Sequence, residues 1–370
     1  MAVSSTDSLF LAAALKLAER GLFSTTPNPR VGSLLVRDGR VVARGWHERA
    51  GGLHAEAAAL ADAREPVAGT TCYVSLEPCV HHGRTAPCAD ALIKAGIARV
   101  VASMEDPDPR MRGKGFARLR EAGIVVDVDG EPDRVARARA LNVGFCSRVE
   151  RGRPWVRLKV AASLDGRTAM ATGESRWITG EAARADVQYW RARSCAVLTG
   201  AGTVRADDPR LDVREPTLLE AAHARQPLRV ILDANLSVAP GAAVLRPPGA
   251  ALIATGDGGA ARSPVHASGV CVEAFPVVDG RLDVAAVLTA LASRGVNEVL
   301  VEAGPALTGH LLESGLWDEA VIYLAPKFLG SAARPFGTFA IDRLGDAVGG
   351  RVIDATLIGA DLRVRVLHAD

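Results

Sequence analysis

Four residues in the first quarter of the chain have the types and spacing of a catalytic metal site. His54 and Glu56 lie two positions apart, and Cys79 and Cys88 follow with eight residues between them. Imidazole and thiolate groups are preferred ligands of zinc, and a set of three leaves the fourth tetrahedral position for water. Because a structural zinc site normally has four protein ligands, this set favours catalysis.

The glutamate indicates which reaction fits the site. The order His-x-Glu, Pro-Cys, Cys is typical of zinc-dependent nucleobase deaminases, in which zinc activates a water and the glutamate moves protons to the leaving amine. Glu56 lies two residues after His54 on the same predicted helix, so it faces a different side and need not bind the metal. An isolated His-x-Glu is usually a solvated helix surface, and a lone cysteine is usually part of a core. Their joint occurrence in this order predicts a catalytic zinc.

The segment between the two cysteines, VHHGRTAP, is longer than the two residues generally found in base-editing and transfer-RNA deaminases. This length predicts that the loop forms part of a pocket. His81 and Arg84 are able to contact a phosphate or a ring, and a solvent-exposed loop with no role is the alternative.

The bulk properties exclude several classes of protein. A chain of 370 residues with 48% hydrophobic and 23% charged residues predicts two globular domains. A net charge of +2 lacks the basic excess of a nucleic-acid binder. No uncharged apolar run approaches the roughly 18 residues of a membrane span, and the N-terminus reads as a helix, not a signal peptide. The other cysteines are scattered without a disulfide pattern, so a cytoplasmic enzyme is predicted. They are Cys72, Cys146, Cys195 and Cys271.

Helical and strand-like patterns alternate along the first part of the chain, which predicts an α/β sandwich with a largely parallel sheet. The predicted helices cover residues 7–20, 54–63, 89–95 and 115–122. The predicted strands cover residues 31–37, 41–44, 70–76, 98–103 and 124–128.

A polar stretch at 149–154 predicts the boundary between a first domain of residues 1–148 and a second of residues 153–370. The second domain is again α/β by pattern. Its predicted strands cover 155–161, 196–199, 228–232, 251–254, 296–301 and 320–324, and its helices cover 181–192, 284–294 and 306–314. No G-x-G-x-x-G follows a strand. Backbone amides at the start of helix 306–314 are able to bind a cofactor phosphate, although the turn before it could simply require glycine.

Several longer strings resemble one bacterial family, the bifunctional riboflavin-biosynthesis deaminase/reductases. In the first domain they are TPNPRVG at 26–32 and LEPCVHHGRTAPC at 76–88. In the second they are KVAASLDGR at 159–167, SRWITG at 175–180, DDPRL at 207–211 and VEAGP at 301–305. The resemblance covers nearly the whole chain.

The resemblance implies a cytidine-deaminase-like three-layer α/β/α sandwich followed by a dihydrofolate-reductase-like α/β domain. It also implies two reactions. The first is zinc-dependent deamination of 2,5-diamino-6-(5-phosphoribosylamino)pyrimidin-4-one. The second is NADPH-dependent reduction of the ribosyl group to give 5-amino-6-(5-phosphoribitylamino)uracil. The expected partners are this small phosphorylated substrate and a second copy of the chain, joined through the reductase domain.

Matching the family motifs assigns individual residues. Zinc falls to His54, Cys79 and Cys88, and the proton shuttle to Glu56. Contacts with the deaminase substrate fall to Asn28, His47, His81 and Arg84. Contacts with the reductase substrate fall to Ser175, Arg191, Leu211, Arg214 and Glu302. Contacts with NADPH fall to Ala161, Trp177, Thr203, Asp207, Gly304, Pro305, Ala306, Leu307, Thr308, Gly309 and His310.

Three points stay open at this level. Asp108 stands where the family pattern has asparagine, and a carboxylate cannot donate the hydrogen bond that an amide can. In the reductase half no residue is an evident acid, and Lys159 and Asp165 are the polar candidates. Two other functions also fit: a zinc deaminase of another nucleobase with an unrelated second domain, and a protein in which zinc only stabilises the fold.

Overall fold

A computed structural model of the chain describes residues 3–81, 87–259 and 268–369. Its contacts divide it into two units, Met1–Gly152 and Arg153–Asp370. In the first unit the helices are α1 (Ser5–Ala18), α2 (Ala55–Asp62), α3 (Cys88–Lys94), α4 (Lys114–Glu121), α5 (Pro132–Leu141) and α6 (Val143–Arg151). The strands are β1 (Gly32–Arg37), β2 (Arg40–Trp46), β3 (Thr71–Val74), β4 (Arg99–Ala102) and β5 (Val125–Val128).

The five strands of the first unit form one mixed sheet in the order β2-β1-β3-β4-β5. Strand β1 is antiparallel to both β2 and β3, whereas β3, β4 and β5 are parallel. The prediction of a largely parallel sheet was therefore wrong for this unit. The predicted hairpin through Asp38 and Gly39 makes β1 and β2 antiparallel, and β1 also pairs antiparallel with β3. Of the strand pairs described, only β3–β4 and β4–β5 are parallel.

Alternating side chains of β1 divide the core of the first unit into two layers around the sheet. Leu34 packs with Leu11 of α1 on one face, and Leu35 packs with Ala55 and Ala59 of α2 on the other. Helices therefore cover both faces, as the predicted three-layer sandwich requires. A Cβ on Gly45 would lie 2.3 Å from the Ala59 nitrogen, so α2 packs directly on β2.

The polar stretch at 149–151 is the last turn of α6 instead of a linker. Glutamate and arginine have a high intrinsic helix propensity, so this stretch continues helix α6 although it lacks an apolar pattern. Gly152 ends this helix with a left-handed φ of 69°.

The second unit has more strands than the sequence pattern predicted. Its strands are β6 (Trp155–Ser163), β7 (Arg167–Ala169), β8 (Ala196–Gly200), β9 (Leu228–Leu232), β10 (Ala251–Thr255), β11 (Val270–Ala274), β12 (Val277–Val278), β13 (Arg281–Leu282), β14 (Glu298–Val301), β15 (Glu319–Ala325), β16 (Arg334–Pro335), β17 (Gly350–Ile358) and β18 (Asp361–His368). Its helices are α7 (Glu181–Arg193), α8 (Ala201–Asp207), α9 (Pro216–Ala221), α10 (Val284–Ser293) and α11 (Pro305–Glu313).

Nine of these strands form one sheet in the order β11-β10-β9-β8-β14-β6-β15-β18-β17. Neighbours from β11 to β15 are parallel, and the β17–β18 hairpin adds two antiparallel strands at one edge. Helices α10 and α11 pack on one face and α7 on the other. The predicted α/β class is confirmed for this unit. None of the helices in the described ranges is long and apolar enough to cross a membrane.

Candidate active sites in the two units

The three predicted metal ligands come together in the first unit. The Nδ1 atom of His54 lies 3.5 Å from the Cys79 sulfur and 3.4 Å from the Cys88 sulfur. All three ligand atoms lie within 4.8 Å of one another. Zn–S bonds of about 2.3 Å and Zn–N bonds of about 2.0 Å at tetrahedral angles separate N and S ligands by about 3.5 Å. The geometry therefore fits a zinc ion with three protein ligands.

Helix starts position two of these ligands. His54 precedes α2 in extended backbone (φ −72°, ψ 163°), and Cys88 is the first residue of α3, directly after Pro87. Cys79 lies in the loop after β3, and its carbonyl oxygen accepts a hydrogen bond from the Ala89 amide at 3.1 Å. Positive helix ends favour thiolate over thiol, which suits metal ligation. Hydrogen bonding to Cys88 and His54 holds the pKa of Cys79 below its usual value.

Glu56 is placed beside the ligands without being one of the three. It lies in the first turn of α2, is 3% exposed, and its carboxyl group interacts electrostatically with Cys79, His54 and Cys88. Burial raises the pKa of Glu56 to about 7, and the negative charge of Cys79 adds to the rise. A carboxyl group that titrates near neutral pH is suited to accept and return a proton.

Two further predicted residues, Asn28 and His47, form a pair next to His54. The Asn28 side-chain nitrogen lies 3.0 Å from Nε2 of His47, and Nδ1 of His47 lies 2.8 Å from the Leu53 carbonyl oxygen. The carbonyl can only accept, so Nδ1 carries the proton and Nε2 accepts from Asn28. Burial lowers the pKa of His47, which keeps the ring neutral. The two imidazole rings of His47 and His54 meet edge to face at 5.3 Å.

The remaining predicted residues of the first unit are less constrained. His81 is exposed at the end of the described segment, and Arg84 lies outside the described residues. Asp108 is buried, and its carboxylate is held by the Arg110 guanidinium at 2.6 Å and by the Arg110 amide at 2.9 Å. Arg110 thus compensates the charge that replaces the expected amide, and the contact lowers the pKa of Asp108.

The second unit contains a cleft of about 690 Å³ at the carboxyl ends of its parallel strands, a size suited to a cofactor together with a substrate. Most of the predicted reductase residues line it. They are Ala161, Ser175, Trp177, Arg191, Thr203, Asp207, Leu211, Arg214, Glu302, Gly304, Pro305, Ala306, Leu307 and Thr308. Parallel strands gather their loops at this edge, which explains why residues distant in sequence meet there.

Gly309 and His310 are not among the lining residues of this cleft. They follow Thr308 in α11, beyond the first turn of the helix, which is the part that lines the cleft. A Cβ on Gly309 would lie 2.2 Å from the Thr338 carbonyl oxygen, so this glycine permits close packing of the 338 segment. The Gly304 amide donates to the Thr203 hydroxyl at 3.0 Å, and the Ala306 and Leu307 amides lie in the first helical turn, which suits a phosphate.

A buried ion cluster forms the floor of the cleft. Arg191 donates to both oxygens of Glu302 at 2.6 and 3.0 Å, and the Lys159 nitrogen lies 3.6 Å from the same carboxylate. Burial alone would raise the pKa of Glu302, but the two cations outweigh it and lower the pKa to about 2. Arg191 is thus already engaged, which leaves less of its guanidinium for a phosphate than the sequence suggested.

Two arginines at the cleft are more accessible. Arg210 and Arg214 are each about half exposed, and both bind the buried Asp212 carboxylate, at 2.7 and 2.5 Å. Sequence reasoning missed Arg210, although it lies in the DDPRL string. Trp177 is 63% exposed, and its ring lies 4.4 Å from the Arg184 guanidinium and 5.8 Å from that of Arg176. An exposed aromatic ring at a cleft is suited to stack on a flat group.

Lys159 and Asp165, the two polar candidates for an acid, have different surroundings. Lys159 lines the cleft. The Asp165 carboxylate accepts hydrogen bonds from the Ser163 hydroxyl and from the amides of Leu329 and Gly330, at 2.5 to 3.1 Å. These bonds lower its pKa to about 2. Asp165 orders a loop, and the cleft-facing candidate is Lys159.

Comparisons with known proteins cover both units. Residues 4–104 match the family model for the cytidine and deoxycytidylate deaminase zinc-binding region, and residues 154–352 match the RibD C-terminal domain. The riboflavin biosynthesis protein RibD of Escherichia coli K12 is 45% identical over 98% of this chain and 100% of its own length.

Two solved structures match over almost the full chain. RibD of Acinetobacter baumannii has a TM-score of 0.89 at 40% identity and covers 99% of both chains. A Thermotoga maritima protein has a TM-score of 0.86 at 32% identity over 98% of this chain and 99% of its own. Its name is diaminohydroxyphosphoribosylaminopyrimidine deaminase/5-amino-6-(5-phosphoribosylamino)uracil reductase. The chain belongs to the RibD family, whose members are bifunctional enzymes of riboflavin biosynthesis with a zinc-dependent deaminase unit and an NADPH-dependent reductase unit.

Proposed function

We propose that the first unit deaminates 2,5-diamino-6-(5-phosphoribosylamino)pyrimidin-4-one and that the second unit reduces the ribosyl group of the product to give 5-amino-6-(5-phosphoribitylamino)uracil. The observation that carries this proposal is the cluster of His54, Cys79 and Cys88 with a buried Glu56 beside it. The name of the Thermotoga maritima neighbour, which contains both activities, supports the choice of substrate.

In the deaminase unit, His54, Cys79 and Cys88 would hold zinc, which when bound lowers the pKa of a water and makes it a better nucleophile. Glu56 would carry a proton from water to the departing amine, so that ammonia leaves neutral. His47 presents no proton on Nε2 and is fixed by Leu53, so its contact with Asn28 orients the amide toward the substrate. His81 and Arg84 would contact the ring or the phosphate.

In the reductase unit the protein binds and aligns the reactants, and NADPH when bound supplies the hydride. The first turn of α11, with Thr203, would hold the cofactor phosphates, and Ala161, Trp177 and Asp207 would contact the rest of the cofactor. The substrate would contact Ser175, Leu211, Arg214 and Glu302. Arg214, which like Arg210 is about half exposed, would bind the phosphate. Arg191 holds Glu302 in place. Gly309 and His310, which the resemblance assigns to NADPH, follow in the same helix.

Assembly and location belong to the same proposal. We expect two copies to associate through the reductase units, as the resemblance implies. We expect the enzyme in the cytoplasm, because the sequence uses its cysteines as metal ligands and as isolated residues instead of a disulfide framework.

Ammonia release from a panel of substrates tests the choice of substrate. The full chain is incubated with the diaminopyrimidinone ribosylamine phosphate, with deoxycytidine monophosphate and with a transfer RNA. We expect release from the first only. Release from either of the others, with none from the first, would support a deaminase of another nucleobase and overturn the proposal.

A further inference from the structure

We propose that Glu77 is a positioning residue of the zinc site, which holds the Cys79 segment against the start of helix α4. The inference rests on the proposed role of Cys79 as a zinc ligand. Glu77 is 4% exposed and lies two residues before Cys79. A buried carboxylate is unfavourable unless it is hydrogen-bonded or paired with a cation, so Glu77 must have such partners.

Four backbone amides donate to the Glu77 carboxylate, two to each oxygen. Oε1 accepts from Gly115 at 2.8 Å and from Phe116 at 3.3 Å. Oε2 accepts from Gly113 at 2.9 Å and from Asp106 at 3.0 Å. Both oxygens are therefore engaged with the chain and are not available as metal ligands.

Three of these amides belong to the start of α4. A helix leaves its first amides without internal partners, and a side chain at the N-cap normally satisfies one of them. Here the N-cap is Gly113, which has no side chain and has a left-handed φ of 75°. Glu77 supplies the missing acceptor from 36 residues earlier in the chain, and its negative charge is stabilised by the positive helix end.

The same contact fixes the metal-binding segment. A Cβ on Gly115 would lie 2.0 Å from the Pro78 carbonyl oxygen, so the start of α4 lies directly against the residue before Cys79. On its other side, the Cys79 carbonyl oxygen accepts from Ala89 of α3, the helix that begins with Cys88. The segment is thus held between two helix starts, one of which carries another ligand. Displacement of Glu77 would move the Cys79 sulfur relative to Cys88.

Glutamine in place of Glu77 is a demanding test because it is nearly isosteric. Its amide oxygen can replace only one carboxylate oxygen, and its NH2 group would face two N–H donors. We expect Glu77→Gln in the full chain to weaken zinc binding by about 10- to 100-fold, the range typical of residues that orient metal ligands. Zinc affinity is measured by competition with a chromophoric chelator, alongside thermal unfolding.

Asp129→Asn provides the matched control. Asp129 is a buried carboxylate of the same unit that accepts from the Glu131 amide at 3.1 Å and pairs with Arg134 at 2.6 Å. The partners of the Asp129 carboxylate are Glu131 and Arg134 and not the zinc ligands. Asp129→Asn should therefore lower the unfolding temperature and leave zinc affinity unchanged. An equal loss of zinc affinity in both variants would overturn the assignment, because it would indicate general destabilisation.

Two further outcomes distinguish a failure of the Glu77 role from a failure of the proposed zinc site. A wild-type chain that binds no zinc would overturn the zinc role of Cys79 itself, whereas wild-type binding with unchanged affinity in Glu77→Gln overturns only the role of Glu77. If Glu77→Gln does not fold, Glu77→Asp decides, because it keeps the charge but shortens the reach. Weaker zinc binding by folded Glu77→Asp supports the proposal, and unchanged binding overturns it.

Discussion

Two buried glutamates in this protein titrate in opposite directions because their neighbours differ. Glu56 lies among thiols and has its pKa raised to about 7, chiefly by burial. Glu302 is mostly buried, with its side chain 10% exposed, but Arg191 and Lys159 lower its pKa to about 2. The first is suited to exchange a proton near neutral pH, and the second is an anion at neutral pH that fixes two cations at the floor of the cleft.

Replacement of Glu56 by glutamine should separate metal binding from deamination. Glu56→Gln keeps all three zinc ligands, so we expect a full complement of zinc by metal analysis. Loss of the proton shuttle should slow ammonia release by about 100- to 10,000-fold. NADPH oxidation with the already deaminated substrate provides the internal control and should not change. Normal ammonia release by the zinc-loaded variant would show that Glu56 is not the shuttle.

The ion cluster around Glu302 should make stability depend on pH. Its folded pKa of about 2 is below the ordinary value of 4.5. The stabilisation is therefore present above pH 4.5 and is lost as the pH falls toward 2. The shift corresponds to about 3 kcal/mol at neutral pH, and about two fifths of this should be gone at pH 3.5.

Glu302→Gln is the variant that measures this contribution. We expect the difference in unfolding free energy between wild type and Glu302→Gln to shrink between pH 6 and pH 3.5 in urea titrations. Tryptophan fluorescence is a suitable signal, because four of the five tryptophans lie in the second unit. A difference that does not change over this range would contradict the assigned pKa.

At the scale of elements, helix α11 illustrates how a site depends on packing behind it. Its first turn faces the cleft, while Gly309 in its interior lies against the backbone of residue 338. Glycine normally weakens a helix by about 1 kcal/mol relative to alanine. A glycine is tolerated here because a side chain has no room.

Gly309→Ala should therefore destabilise the second unit despite the better helix propensity of alanine. The clash with Thr338 should cost about 1 to 3 kcal/mol, which exceeds the gain in propensity. Gly202→Ala in α8 is the control, because a Cβ there meets nothing within 4 Å. It should leave stability unchanged or raise it by up to about 1 kcal/mol. Urea unfolding of both variants checks the signs, and stabilisation by Gly309→Ala would refute the packing role.

The sequence predicted those parts of the molecule that short-range pattern determines. His54 and Cys88 were expected at helix starts, and the β1–β2 hairpin follows from the Asp38-Gly39 turn. Helix α5 was missed because arginine and alanine hide its apolar period, and β17 because it is the mostly exposed strand at the edge of the sheet. Helix α6 and strand β18 were missed as well, although Leu362, Val364 and Val366 of β18 alternate with polar residues. The contacts of Glu77 join residues more than 28 positions apart, which spacing along the chain cannot reveal.

At the scale of the whole molecule, each unit has its own sheet and its own hydrophobic core. The arrangement of residues 1–148 and 153–370 as separate domains is a prediction that follows from the sequence. We expect chains ending after Gly152 and beginning at Arg153 to fold when expressed separately, with cooperative unfolding in each. The first should release ammonia without NADPH, and the second should oxidise NADPH with the deaminated substrate. Failure of both pieces to fold would show that the units depend on each other.

Mass spectrometry of the reaction products tests the assignment of two activities most directly. The zinc-loaded full chain is incubated with the diaminopyrimidinone ribosylamine phosphate, with and without NADPH. Without NADPH, the exocyclic amine should be replaced by oxygen, and with NADPH the product should gain two hydrogens as well. A substrate that keeps its amine would contradict the deaminase assignment, and a deaminated product that gains no hydrogen with NADPH would contradict the reductase assignment.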